Sequence, residues 1–137
     1  MAEWIGIGKR ARRCYGFDEI ALVPGVQTVN PNEVDTTFQI DSNKFKVPIL
    51  AAAMDGVVDV GFAVSMSKLG GIAVLNLDGV QTRYENPDVV LEKIARASPG
   101  KATELIQSIY NTPIKEKLIS RRGQEITRKK GTAVVSC

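Results

Sequence analysis

The sequence of 137 residues contains no histidine, which removes the commonest metal ligand and the usual general base near neutral pH. Cysteine is almost absent as well. Cys14 and Cys137 form neither a Cys-x-x-Cys pair nor a spaced framework, so reduced thiols and no structural zinc are expected. Apolar runs such as residues 47–54 fall far short of the roughly twenty residues that a membrane-spanning helix needs. The first residues reach Lys9-Arg10 without an apolar core and small-residue cleavage site, so no secretory signal is read and a cytoplasmic location is the expectation.

What is present suits a folded chain with the length of one typical domain. Hydrophobic residues make up 44% and charged residues 24%, close to the averages for globular proteins and far from disordered compositions. The formal net charge is only +3, but basic residues concentrate at Lys9-Arg10-Ala-Arg12-Arg13 and along residues 115–130. Basic runs of this kind usually form the solvated face of a helix. With aromatics at 6% and none inside 115–130, a base-stacking role for that run is set aside, and nucleic acid is not an expected partner.

Residues 1–31 mix Gly, basic residues and short apolar runs without a sustained period, as expected of an extended arm packed on something larger. Alternation in Asp35-Thr-Thr-Phe-Gln-Ile40, turn formers at Asp41-Ser-Asn43 and an extended run from Phe45 predict a hairpin leading into a buried strand. Ile49-Leu-Ala-Ala-Ala53 is apolar on both faces, the pattern of a parallel strand covered on both sides. After a turn at Asp55-Gly56, Asp59 is a candidate cap for a helix whose face carries Phe62, Ala63, Met66 and Leu69 and which Gly70-Gly71 ends. Ile72-Ala-Val-Leu-Asn76 then predicts a second buried strand, completing a β-α-β unit with a right-handed crossover.

Asn86-Pro87 starts another helix with an apolar stripe at Val90, Leu91, Ile94 and Ala97, closed by Ser98-Pro99-Gly100. Two further helical patterns run through Ala102, Leu105, Ile106 and Ile109, then from Thr112-Pro113 through Ile114, Leu118, Ile119 and Ile126 to Gly131. Thr132-Ala-Val-Val-Ser-Cys137 reads as a third short apolar strand. A chain ending inside a strand leaves unpaired backbone groups, so a truncation is expected. The rhythm alone gives an α/β chain with a parallel sheet, with doubly wound and barrel architectures both open.

The motifs narrow that choice. Phe17-Asp-Glu-Ile-Ala-Leu-Val-Pro24, Val47-Pro-Ile-Leu-Ala-Ala-Ala-Met-Asp-Gly-Val57 and Leu69-Gly-Gly-Ile-Ala-Val-Leu-Asn76, in this order and spacing, resemble the N-terminal third of the IMP dehydrogenase and GMP reductase family. Ile5-Gly-Ile-Gly-Lys-Arg-Ala-Arg-Arg-Cys-Tyr-Gly16, Val74-Leu-Asn-Leu-Asp-Gly79 and Gln81-Thr-Arg-Tyr-Glu-Asn86 are similar to a bacterial IMP dehydrogenase-related branch without CBS modules. The interval 101–130 is too short to hold two such modules.

The resemblance implies an α/β fold that is the N-terminal part of a (β/α)8 TIM barrel. Residues 1–46 would be an arm and hairpin, and residues 47–137 the first three β/α units. It implies a family reaction in which a cysteine attacks the purine of IMP, hydride passes to NAD, and hydrolysis releases XMP. Potassium assists in the family and homo-tetramers are usual. Carried over residue by residue, Ala52 and Met54 would contact the substrate nucleotide, and Asn76 and Asp78 would face the cofactor at the next strand end. Ala52 and Met54 taken without the resemblance read as core, and Asp55-Gly56 reads equally as a turn or as part of the mouth. Arg10, Arg12 and Arg13 read as a solvated arm. Neither Cys14 nor Cys137 lies in the family's Gly-Ser-x-Cys loop, so no catalytic residue is assigned and these residues alone should be inactive. Three parallel strands cannot close a barrel, so the faces of residues 51–53 and Val74-Leu75 are expected to stay partly uncovered, and association through them is the noncatalytic alternative. GMP reductase-type chemistry is the other.

Overall fold

Strand β1 (Ala2–Gly6) turns back through Ile7-Gly8 into β2 (Lys9–Arg12), an antiparallel pair in which Trp4 stands opposite Arg10 and Glu3 opposite Ala11. The structure is a computed structural model that describes residues 2–136, and the chain divides after Val34 into two units. Residues 1–31, read from sequence as an extended arm, therefore carry a hairpin. Its signal was a glycine at the turn and a cross-strand aromatic–cation pair, neither of which registers as periodicity. A single turn of 3-10 helix, Pro31–Glu33, closes this unit.

The second unit opens with the hairpin that alternation predicts, β3 (Phe38–Ile40) against β4 (Asn43–Phe45), with the Phe38 and Phe45 rings stacked 5.1 Å apart. A three-stranded parallel sheet follows in the order β5 (Leu50–Ala51), β6 (Ile72–Asn76), β7 (Val134–Ser136). Helix α1 (Val60–Leu69) joins β5 to β6. The Asp59 carboxylate accepts from the Phe62 amide at 2.6 Å and caps its start. Gly70 ends it at φ +90, a left-handed conformation that also brings the backbone against Lys46, whose Cβ would lie 2.6 Å from any added methyl.

Between β6 and β7 lie α2 (Val80–Arg83), α3 (Pro87–Ala95), α4 (Pro99–Tyr110) and α5 (Glu116–Arg128). Ser98-Pro99-Gly100, read as the close of one helix, instead starts the next, because Pro at the first helical position has no amide to leave unpaired. The last helix begins beyond Lys115 rather than at Pro113, since the Lys115 amide is taken by the Thr82 carbonyl at 2.9 Å. α2 was not foreseen; four residues are too few to show a period.

The core gathers Val58, Ala63, Val64, Ala73, Leu75 and Ile126 between α1, β6 and α5, with Ala51, Val60 and Met66 packed against it. Phe62 and Leu69, expected to share the inner face of α1, point outward, and the buried helix residues are Ala63 and Val64. Ile49 and Leu50 were expected to be covered on both sides, yet they stay 57% and 55% exposed. The reason is topological: β5 is an edge strand paired only to β6. Leu75, on central β6, is fully buried, which corrects the expectation that this position would stay partly uncovered. Among the described residues no helix is long and apolar enough to cross a membrane. Cys137, read as the end of the last strand and as no nucleophile, lies outside the described residues; Cys14 is exposed with a free thiol.

Candidate functional site

In a parallel sheet all strands deliver their carboxyl ends to one edge, where ligand sites of such folds gather. β5 hands on to Ala52 and Met54, and β6 ends at Asn76 with Asp78 two residues beyond. The four residues singled out from sequence therefore leave adjacent, hydrogen-bonded strands at the same end. Ala52 and Met54 are exposed, Met54 at 57%. This corrects the reading of them as core: the Met54 amide bonds back to the Ala52 carbonyl at 2.8 Å, and the amides of Val57 and Val58 bond to the Met54 carbonyl. The chain thus turns away from the sheet axis before Val58 enters the core.

Asp55 ties the two strand-end loops together. One of its carboxylate oxygens, Oδ2, accepts from the Val80 amide at 2.8 Å and from the Tyr110 hydroxyl. The carboxylate occupies the space directly over Gly79, where a Cβ would meet Oδ1 at 1.9 Å. Gly79 is therefore required by close approach, not by its φ of −95. The other oxygen, Oδ1, is buried and has no hydrogen-bond partner among the described residues. The loop carrying Asn76 and Asp78 is further held by the Thr82 hydroxyl on the Leu77 carbonyl and by Arg83 Nε on the Asp78 carbonyl at 3.0 Å. Arg83 also donates to the Thr112 carbonyl and lies 5.7 Å from the Tyr110 ring centroid.

Within this loop the Asn76 side-chain oxygen accepts from the Asp78 amide at 3.0 Å, an Asx turn. The Asp78 carboxylate stays exposed. Among the described residues no cluster of three His, Cys, Asp or Glu could hold a metal ion.

Tyr110 is the participant that sequence reading missed altogether. Its partner lies 55 positions away, and nothing local marks it. Burial, then the hydrogen bond to Asp55 and the Asp55 charge, push its phenol up to about 12. Since the folded value lies above the ordinary 10.0, the unfolded chain releases this proton first, and the stability it accompanies is intact below pH 10 and lost as pH rises towards 12. Tyr110→Phe should delete the phenolate absorbance that appears near pH 12 in the folded chain. A Tyr110 phenolate already formed at pH 10 would show that the phenol is neither buried nor held by Asp55 in solution.

Residues 14–106 match the family model described as IMP dehydrogenase / GMP reductase domain. A protein of Mycobacterium tuberculosis that carries the name "uncharacterized oxidoreductase" is 32% identical over 120 residues, which are 84% of this chain and 32% of that protein. An inosine-5'-monophosphate dehydrogenase of Methanocaldococcus jannaschii is 29% identical over 76% of this chain and 24% of its own length. The crystal structure of an IMP dehydrogenase/GMP reductase-like protein from Corynebacterium glutamicum superposes with a TM-score of 0.79 at 30% identity, covering 98% of this chain and 37% of that one. The chain spans about a third of the length of the oxidoreductase-named mycobacterial relatives it matches.

Proposed function

The chain belongs to the IMP dehydrogenase / GMP reductase family, and from that premise we propose that it forms the substrate-nucleotide side of a (β/α)8 barrel oxidoreductase that converts IMP, NAD and water to XMP and NADH. Residues 47–137 would supply the first three β/α units, and residues 1–46 the arm and hairpin that precede them. The observation that carries this reading is the joint placement of Ala52, Met54, Asn76 and Asp78 at the carboxyl edge of β5 and β6, bridged by Asp55. Ala52 and Met54 would line the purine nucleotide, with Met54 offering an exposed, polarisable thioether to a flat base. Asn76 and Asp78 would face NAD, which supplies the hydride acceptor when bound. These 137 residues contain no Gly-Ser-x-Cys loop, so they would bind without carrying the reaction through.

Methyl-labelled methionine tests the site directly. Of the three methionines, Met54 is exposed at the strand end and Met66 packs on the core. IMP should shift the Met54 methyl resonance and leave Met66 in place, with no NADH formed from IMP and NAD. An unmoved Met54 at saturating nucleotide would sink the site. A response to GMP and NADPH but not to IMP would favour the reductase alternative. The exposed edge at Ile49 and Leu50 supports the noncatalytic reading, association with further barrel subunits, whose signature would be assembly with no nucleotide response at all.

A further inference from the structure

We propose that the cleft between α3 and α4 binds a small organic anion with an apolar tail, such as a single-chain acyl carboxylate. Only residues 96–98 separate the two helices, so the cleft closes at that turn and opens towards Val89 on one helix and Ser108 on the other. Its volume is about 810 Å³, within the roughly 300–1,000 Å³ of small-molecule sites.

The two ends of the cleft differ in chemistry. Arg96 and Lys101 stand at the closed end beside Ser98, whose hydroxyl makes no capping bond to α4 although Ser98 is its cap residue. Both carboxylates of the lining, Glu92 and Glu104, lie a turn farther out. Glu92 is already paired with Arg96, and a guanidinium engaged in one such contact keeps donors for a second oxyanion. Among the described residues neither Lys93 nor Lys101 has a carboxylate within ion-pair distance. The lining therefore holds three cations against two carboxylates, and the positive charge gathers at the turn. One anionic head group fits there.

Apolar side chains continue from that point along the cleft, with Ala97 at the turn, Leu105 in the middle and Val89 at the open end. Ala97 and Leu105 are half-buried and Val89 is exposed. The stretch from Val89 to Ala97 covers roughly 12 Å of helix rise, room for one acyl chain laid lengthwise with its head at the turn. Other ligands match less of this lining. No aromatic side chain borders the cleft, so a nucleobase finds no ring to stack on. An ammonium head would face Arg96 and Lys101, and a polyanion would run into Glu92 and Glu104. A phospholipid within its bilayer needs a broad apolar rim, whereas charged residues flank this narrow strip. None of Ala52, Met54, Asn76 and Asp78 lines the cleft, so the two sites are tested independently.

Decanoate, kept below its micelle concentration, is the probe. In the intact chain it should shift the methyl resonances of Ala97 and Leu105 and leave Leu75, fully buried in the core, in place. Decanol, which has the tail without the charge, should bind about tenfold more weakly. Arg96→Gln with Lys101→Gln should weaken decanoate binding by about tenfold or more and leave decanol binding unchanged. Both side chains are exposed, so the fold survives the change. Val89→Asp, also at an exposed position, should weaken both ligands by opposing the tail. The absence of any shift at millimolar decanoate overturns the proposal. Equal binding of decanol or decylammonium overturns it too, by reducing the cleft to an apolar patch. The same shifts produced by acetate or inorganic phosphate would mean an adventitious ion only, and tighter binding of phosphatidylglycerol vesicles would replace the single-chain site with a membrane surface.

Discussion

Arg122→Ala is expected to lower the unfolding free energy by about 4 kcal/mol, in the range seen when one member of a buried charged network is removed. Arg122 is 6% exposed on α5. Its guanidinium donates to the carbonyls of Gln81 and Glu85 at 3.0 Å and of Tyr84 at 3.2 Å, and to the Glu125 carboxylate at 3.0 Å. Truncation strands three carbonyls where α2 runs into the next turn, besides removing a packed stem. Lysine cannot reproduce the fork, so Arg122→Lys should recover less than half of the loss. Urea denaturation followed by far-UV circular dichroism measures both; a change below about 1 kcal/mol would mean that water replaces the guanidinium at little cost. The same network weakens in acid. Burial works against the Glu125 charge, but the hydrogen bonds from Arg121 and Arg122 prevail and hold its pKa below the ordinary 4.5. Its contribution is therefore present above that value and lost as pH falls through the lower folded one.

Gly79→Ala should cost roughly 3 kcal/mol, the upper end of overpacking penalties. The added methyl would overlap the Asp55 carboxylate, and that carboxylate cannot swing aside freely because Oδ2 holds the Val80 amide. The same substitution made in an Asp55→Ala background should be far milder, giving a coupling of about 2 kcal/mol in a double-mutant cycle. Additive losses would instead assign the penalty to the backbone at Gly79. The cycle bears on function as well as on stability, since Asp55 and Gly79 belong to the two loops that present Met54 and Asp78. The Gly79→Ala chain should therefore also lose the Met54 response to IMP.

The elements that could be read from sequence were those with local causes. Asp59 and Gly70 bracket α1 by capping chemistry that needs no distant partner, and the alternation around Phe38 specifies its hairpin. The parallel strands were legible from apolar runs, but not their exposure, because whether Leu50 is covered depends on which strands lie beside it. Likewise Arg122 sits in a basic run that reads as a solvated face, and its burial follows from three carbonyls contributed about 40 positions earlier. The placement of Ala52, Met54, Asn76 and Asp78 followed from strand direction together with the family motif. What holds them there, the Asp55–Tyr110 pair, is a contact between two residues that no local pattern links.

The strand order bears on how the chain assembles. Leu50 pairs with Ile72 about 22 positions on, whereas Val74 pairs with Val134 about 60 positions on, across four helices. Chain entropy alone makes the second closure only about 1 kcal/mol harder, and β7 directly follows α5, whose Ile126 is buried in the core. The β5–α1–β6 crossover unit, built on near neighbours in sequence, is therefore expected to form first and β7 to arrive last. Until it does, the flank of β6 along Val74, Leu75 and Asn76 is an open template of matching length. At high protein concentration the strand that fills it can come from another molecule, so refolding yield should fall with concentration through strand exchange at this one position.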